Sequence, residues 1–401
     1  MSNLSIACYF QNMKVKVVKQ NVHGKGPKST CIMLEPDRRY TPTCHACGNQ
    51  SKNTHSKDHR RLIRDMDIAG AEVWLQVNYR KIWCSDCLQA RVEKLEFCDA
   101  SKRVTHRMSR YIHELCKMMT VTDVARHLAM DPKTVKQIDK AFLEEAYGQN
   151  DFDHLTVIMI DEIAIRKGHS YMTVIADYFT GRVLWMGSNR DKETLDDFFE
   201  GLTASQKATI KAVAMDMWKP FINRVAHHCP DAKIVFDFFH VTNSFGKVID
   251  KVRRQEFQKA DEEGKGMLKG TRYLLLKNAA NLTDNQRIKL ESLLSENETL
   301  TSLYLLKDQL KLVFYYDDRE KCKEALDSWC EMASCIDNQR VQDFIKFLRR
   351  HEDGLLNHAD YPIDTGRLEG INNKIKVIKR KAYGFHDTRY FMLKVKQASA
   401  A

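Results

Sequence analysis

LTVIMIDEIAIRKGHSYMTVIADYFTGRVLWMG, residues 155–187, decides the fold. It holds three apolar runs, LTVIMIDE, SYMTVIADY and RVLWMG, joined by KGH and FTGR. Short runs rich in β-branched residues and bounded by turn residues read as successive strands. Downstream, 193–211 is spaced as a helix and IKAVAMD (210–216) as a buried strand. A helix from Pro220 to His228 and a strand KIVFDFF (233–239) follow. The order is βββαβαβ. From 245 to 357 the apolar residues recur at helical spacing with almost no strand signal, and Gly366 opens a final helix with a basic face.

Two of these strands lead into aspartates, Asp161 after VIMI and Asp216 after AVAM. If the strands are neighbours, both carboxylates emerge at one edge of the sheet. There they can share a pair of Mg²⁺ ions about 3.5–4 Å apart, an arrangement that serves phosphoryl transfer. Magnesium takes hard oxygen ligands and keeps several waters, so few protein ligands are needed. Glu369, in GRLEGINNKIKVIKRKAYGF (366–385), is the candidate third acid. It lies early on a helix whose later turns carry Lys374, Lys376, Lys379, Arg380 and Lys381, cations suited to DNA phosphates. A lone aspartate at a strand end is otherwise a turn or cap residue, the reading taken for Asp177 and Asp191. Glu162 is expected to point away from Asp161, because side chains alternate along a strand.

Upstream, residues 9–35 suggest two strands, YFQNMKVKVV and STCIMLE, around the turn-rich HGKGPKS. Residues 40–90 carry cysteines and read as short strands. Cys44-His45-Ala46-Cys47 and Cys84-Ser85-Asp86-Cys87 form two CxxC knuckles, bridged by the strand-like VWLQVNYRKIW. Four thiolates suit one tetrahedral Zn²⁺, which supplies folding free energy that so small a module lacks. The alternatives are unrelated thiol pairs or a redox motif. His45, His55 and His59 lie nearby, but four cysteines suffice. Cys8, Cys31, Cys98, Cys116 and the later cysteines lack partner spacing and are expected to be buried small residues.

Residues 105–147 read as helical, and TVTDVARHLAMDPKTVKQIDKAF within them has the rhythm of a helix-turn-helix. Thr120 caps a first helix, with Ala125 and Leu128 on its buried face. Met130 and Asp131 make the turn. Asp131 caps a second helix that has Pro132 at its first position. Val135 and Ile138 pack inward, leaving Lys133, Thr134, Lys136 and Gln137 to meet a DNA groove. An ordinary αα-hairpin is the competing reading.

The chain has 401 residues and a net charge of +11, enough for two or three domains. Residues 1–150 hold 25 Lys and Arg against 16 Asp and Glu, and residues 361–401 hold 9 against 3, so the acidic middle lies between basic flanks. That pattern suggests a polyanion partner, most naturally nucleic acid. No apolar run reaches the ~18 residues of a membrane span. The first residues lack a signal-peptide pattern, so secretion is not expected. No internal repeat or low-complexity tract occurs.

The order of CxxC…CxxC, helix-turn-helix, Asp161 in MIDEIAIRKGHSY, Asp216 in AMDMWKPF and Glu369 in GRLEGINNKIKVIKRKAYGF resembles the ISL3-family insertion-sequence transposases. The resemblance spans nearly the whole chain, and the last motif is its most specific part. It implies a multidomain α/β protein, with an RNase H-like core of mixed sheet interrupted by an all-α insertion. A zinc-ribbon-like module and a helix-turn-helix would precede the core. The implied division is 1–95 for the β/zinc module, 100–148 for the helix-turn-helix, 152–245 for the first part of the core, 246–360 for the insertion and 361–401 for the completion of the core.

The resemblance further implies a DDE triad of Asp161, Asp216 and Glu369 holding Mg²⁺ or Mn²⁺, with Zn²⁺ on Cys44, Cys47, Cys84 and Cys87. FDFFHV resembles the DxxH motif of related enzymes and places Asp237 and His240 near the site, to support it or to contact the DNA end; a polar pair ending a buried strand is the competing reading. Arg166 and His169 are read either as contacts to the scissile phosphate or as supports of their turn. The implied activity is metal-dependent cleavage at terminal inverted repeats and strand transfer into target DNA, by a homodimer or higher oligomer in the bacterial cytoplasm at the nucleoid. No membrane partner is expected. Lys376, Lys379 and Arg380 would contact DNA beside the metals. Two other readings stay open: a non-catalytic DNA-binding regulator or domesticated transposase, and an RNase H-like nuclease.

Overall fold

The computed structural model describes residues 9–10, 13–23, 29–68, 70–150, 152–166, 170–363, 366–382 and 384–400. The chain forms two compact units, Met1–Ala146 and Tyr147–Ala401.

The first unit opens with a sheet of β1 (Val15–His23), β2 (Ser29–Pro36), β3 (Thr54–Ile68), β4 (Ala71–Cys84) and β5 (Gln89–Val92). The strand order is β1-β2-β4-β3, with β5 also pairing β4. The region expected to hold short strands instead forms a long β3–β4 hairpin. Its apolar signal is hidden because β3 buries residues only near its middle, Ile63, Arg64 and Asp65. Three helices follow: α1 (His106–Met118), α2 (Val121–His127) and α3 (Pro132–Tyr147). Thr105 and Thr120 cap the first two through Met108 N–H and Asp123 N–H. Asp131 accepts from Thr134 N–H at 3.0 Å at the start of α3. Met108, Ile112, Val124, Ala125, Leu128, Val135 and Ile138 form one core, the packing the helix-turn-helix reading requires.

A buried polar joint ties this bundle to the sheet. Asp65 is fully buried and accepts 2.7 Å hydrogen bonds from Thr105 Oγ1 and Arg107 Nε. Removing one partner of a buried pair typically costs about 3–5 kcal/mol. Asp65→Ala is expected near the lower figure, because Arg107 is 38% exposed. Urea denaturation of the variant checks this.

The second unit contains β6 (Val157–Arg166), β7 (Ser170–Asp177), β8 (Val183–Ser188), α4 (Lys192–Glu200), α5 (Ala204–Thr209), β9 (Ala212–Met215), α6 (Lys219–His228) and β10 (Lys233–Phe236). The strand order is β10-β9-β6-β7-β8. β6, β7 and β8 are antiparallel neighbours, while β9 runs parallel to β6 and β10 parallel to β9. This is the RNase H-like sheet, in the order βββαβαβ. The expected helix 193–211 is two helices, because Thr203 and Gln206 form a capping box that starts α5.

Alternation along the strands builds two layers. Val157, Met159, Ile163, Ala212, Ala214 and Val235 face one side. Ile158, Ile160, Val213 and Met215 face the other, with α4 and α6. After β10 the chain enters α7 (Phe238–Lys259), which runs unbroken into a helical region of α8 (Glu262–Leu268), α9 (Arg272–Leu276), α10 (Asp284–Glu296), α11 (Glu298–Gln309), α12 (Arg319–Ser334), α13 (Gln339–Arg350) and α14 (Glu352–Asp360). These helices share a core around Phe245, Trp329 and Phe344. α14 returns to the sheet edge, where Asn357 Nδ2 donates to Ile234 O at 2.8 Å. Gly354 permits that approach, since a Cβ there would lie 2.2 Å from the Phe236 ring.

The final segment is α15 (Gly366–Lys381) and a separate α16 (Thr388–Ser399), rather than one helix. Ile371 and Ile375 of α15, and Phe391 and Val395 of α16, cover the layer that carries Val157 and Met159.

Candidate active site

Asp161 is interior to β6 and does not end it. What ends is the pairing with β9, whose last matched pair is Met159 with Ala214. Continuing that register sets Asp161 level with Asp216, and the β9–β10 register sets Asp216 level with Asp237. Equal positions on parallel strands point to the same face. The three aspartates therefore form a row across β6, β9 and β10, on the side covered by α15. Glu369 reaches the row from the first turn of that helix. Asp161, Asp216, Asp237 and Glu369 all border one cavity of ≈ 250 Å³.

Local hydrogen bonds orient these acids. Asp161 Oδ1 accepts from Glu162 N–H at 2.8 Å, and Oδ2 accepts from Asn372 Nδ2. Asp216 Oδ1 accepts from Trp218 N–H at 3.1 Å. Asp237 caps α7 through Phe239 N–H at 2.7 Å, and His240 Nε2 lies 3.6 Å from its other oxygen. Burial pushes the Asp161 carboxyl above its usual range, opposed by the Glu162 N–H. Burial also pushes Glu162 up to about 7, opposed by Arg190. Desolvated acids of this kind favour a cation at the site.

Glu162 faces the opposite layer, as alternation requires, and still borders the cavity because the sheet opens beyond Met159. Its Oε2 pairs with Arg190 Nε at 3.1 Å, while Oε1 is buried with no hydrogen-bond partner among the described residues. The Arg190 guanidinium lies over Tyr171 and Trp218, 5.1 and 4.6 Å from the ring centroids.

Lys376, two turns beyond Glu369, also borders the cavity. Lys379 is half-buried, and the exposed Arg380 donates to Lys376 O at 3.4 Å. Arg166 ends β6, but its side chain lies outside the described residues, as does His169. In the first unit Lys133 and Gln137 are exposed on α3, and Thr134 and Lys136 are half-buried.

The reading from sequence missed Asn372, which has no motif of its own. Its spacing of three from Glu369 was the available signal. It also missed Phe239, 57% exposed at the cavity rim.

The cysteine site is tighter. Cys44, Cys47, Cys84 and Cys87 have sulfurs all within 4.8 Å of one another, the group among the described residues that converges in this way. Cys47 Sγ is 3.4 Å from Cys84 Sγ, and Cys44 Sγ is 3.9 Å from Cys87 Sγ. A tetrahedron with Zn–S bonds of about 2.3 Å has edges close to these. His45 Nδ1 instead meets Val92 O at 3.0 Å, and His59 stacks on Tyr79. Of the other described cysteines, Cys98, Cys116, Cys229, Cys322 and Cys330 are buried as expected. Contrary to expectation, Cys31 is half-buried, on the face of β2 opposite Ile32 and Leu34, and Cys335, just past the end of α12, is exposed. Cys8 lies outside the described residues.

An RNase H-like sheet with acids on adjacent strands, behind a zinc knuckle and a helix-turn-helix, defines a DDE-type DNA transposase. Residues 158–395 match the ISL3 DDE family described as "Transposase". Residues 93–143 match the helix-turn-helix domain of transposase family ISL3, and 41–87 the zinc-finger of transposase IS204/IS1001/IS1096/IS1165. The transposase for insertion sequence element IS1001 of Bordetella parapertussis is 36% identical over 374 residues, 92% of either chain. That for IS1557 of Mycobacterium tuberculosis is 32% identical over 369 residues, 85% of this chain and 82% of its own. The catalytic core domain of BIV integrase aligns at 13% identity over 35% of this chain and 98% of its own, with a TM-score of 0.18, and adds nothing to the assignment. The chain belongs to the ISL3 family of insertion-sequence transposases. It is an enzyme of the DDE type with a DNA-binding helix-turn-helix. Among the described residues, no helix is long and apolar enough to cross a membrane.

Proposed function

We propose that this transposase binds the terminal inverted repeats of its own element, cuts there, and joins the ends to target DNA. The observation that carries this reading is the row of Asp161, Asp216 and Asp237 facing Glu369 across one cavity. Asp161, Asp216 and Glu369 hold Mg²⁺, or Mn²⁺ in its place. Their donors are hard oxygens, which suits ions that keep part of their water. When bound, the ion pair supplies Lewis-acid activation of the attacking and leaving oxygens in phosphoryl transfer.

The chain's own groups do the rest. Lys376 at the cavity wall, with Lys379 and Arg380 behind it, draws the DNA backbone to the acids. Asp237 and His240 steady the start of α7 beside them. Arg166 and His169, in the stretch of sequence linking β6 to β7, act on the scissile phosphate or stabilise that connection. Lys133, Thr134, Lys136 and Gln137 meet the element ends, and Cys44, Cys47, Cys84 and Cys87 hold Zn²⁺ to shape the module before them. The labour divides as 1–95 zinc module, 100–148 end recognition, 152–245 and 361–401 catalytic core, and 246–360 insertion. A homodimer or higher oligomer brings two ends together, acting at the nucleoid in the bacterial cytoplasm.

The test is cleavage of DNA carrying the element's flanking sequences, with Mg²⁺, Mn²⁺ or EDTA, by wild type and Glu369→Ala. The expected result is metal-dependent cuts at the repeat ends that the variant does not make. Tight binding without cuts would point to a regulator, and cuts without end preference to a general nuclease. End affinity should also fall steeply with salt, because each phosphate contact releases counterions. A titration between about 50 and 200 mM salt reads that slope, and a flat response would contradict phosphate-driven binding.

A further inference from the structure

We propose that Asn372 is a positioning residue of the catalytic site, holding Asp161 with its amide nitrogen and offering its carbonyl oxygen to a water on the bound metal. The proposal rests on the reading of Asp161, Asp216 and Glu369 as metal ligands.

Asn372 follows Glu369 by three residues and precedes Lys376 by four, so the three share one face of α15. All three border the acidic cavity. Unlike its two companions, Asn372 is only 7% exposed. Flanking Ile371 and Ile375 are buried in the sheet layer and fix the rotation of the helix. Asn372 therefore cannot turn away from β6.

Its Nδ2 donates to Asp161 Oδ2, while Asp161 Oδ1 takes the Glu162 N–H. Both oxygens of Asp161 are thus oriented, and the lone pairs left over remain for a ligand. An ionised Asp161 accepts only, so the nitrogen of the carboxamide must face it. That choice sends Oδ1 elsewhere, and Oδ1 is buried with no hydrogen-bond partner among the described residues. An acceptor left in that state costs about 1–3 kcal/mol, whereas leucine would pack in the same volume without the penalty. The cost is offset if a donor arrives with the ligand. Water held on a divalent cation is a strong donor, and the cavity has room for it at ≈ 250 Å³.

The experiment uses the full chain and follows Mn²⁺ binding by electron paramagnetic resonance, beside end-cleavage kinetics and thermal melting. Asn372→Leu keeps the volume and removes both polar groups. The expected result is about 10-fold or more weaker Mn²⁺ binding, the usual effect of losing a group that orients a metal ligand. kcat should fall with it, while KM for DNA and the melting temperature hold. Asn372→Ala, which leaves space and not a clash, serves if the leucine variant misfolds. Asp161→Asn is the control. If it binds Mn²⁺ as tightly as wild type, the metal-ligand reading fails and this inference goes with it. If Asp161→Asn weakens binding but the Asn372 variants match wild type in affinity and kcat, Asn372 only packs the helix and the inference alone is overturned.

Discussion

Asp161→Ala is expected to hold element-end DNA about as tightly as wild type while losing cleavage by about 10³-fold or more. The size follows from what the residue holds. Metal stabilisation of a phosphoryl-transfer transition state is worth several kcal/mol, and about 1.4 kcal/mol corresponds to tenfold in rate. Binding should survive because the cations assigned to DNA, Lys376 and Arg380 on α15 and Lys133 on α3, lie on elements that Asp161 does not build. The fold should survive too, since a desolvated acid is replaced by a small apolar side chain beside Met159 and Ile163. Gel-shift affinity and cleavage rate on the same end-bearing DNA separate the two effects. Cleavage at the wild-type rate would remove Asp161 from the catalytic set.

The sheet was legible because its strands are apolar on both faces. VIMI and AVAM lie between two covering layers, so each prints as a continuous run with its aspartate as the first polar interruption. The register of that interruption was not legible. That Asp161, Asp216 and Asp237 fall in one row depends on pairing partners, which spacing along one chain does not encode. The two knuckles were legible because metal chemistry restricts residue type and spacing together. The β3–β4 hairpin was not, because THSKDHRRLIRD carries formal charge at six of its twelve positions and buries Arg64 beneath the contact with Trp74. Polar residues in a core follow from partners distant in sequence. Asn372 and Asp161 are 211 residues apart, and Asp65 and Arg107 are 42 apart. Such pairs leave no periodic trace.

Removal of zinc is expected to unfold the knuckles while leaving the main β-sheet of the first unit paired. The knuckles bury little besides their own ligands: their core is Cys44, Ile82 and Cys84, with Cys87 against it. Full burial of one isoleucine contributes about 1.5–3 kcal/mol, against about 10–16 kcal/mol for structural zinc in comparable small modules. The sheet has its own core, from Ile32 and Leu34 to Leu75 and Val77, and does not depend on the metal in this way. Hydrogen exchange reads the difference at named amides. Cys44 N–H bonds Asn49 O, Gly48 N–H bonds Cys44 O and Lys94 N–H bonds Thr43 O, and all three should lose protection in Cys84→Ala or after chelation. The β2–β4 amides around Ile32 and Leu75 should keep theirs. Metal analysis should find about one zinc per chain in wild type and none in the variant, as one tetrahedral four-thiolate site requires. Retained protection at Cys44 and Gly48 without metal would mean that the knuckles close by packing alone, and that the four thiols converge for some purpose other than zinc.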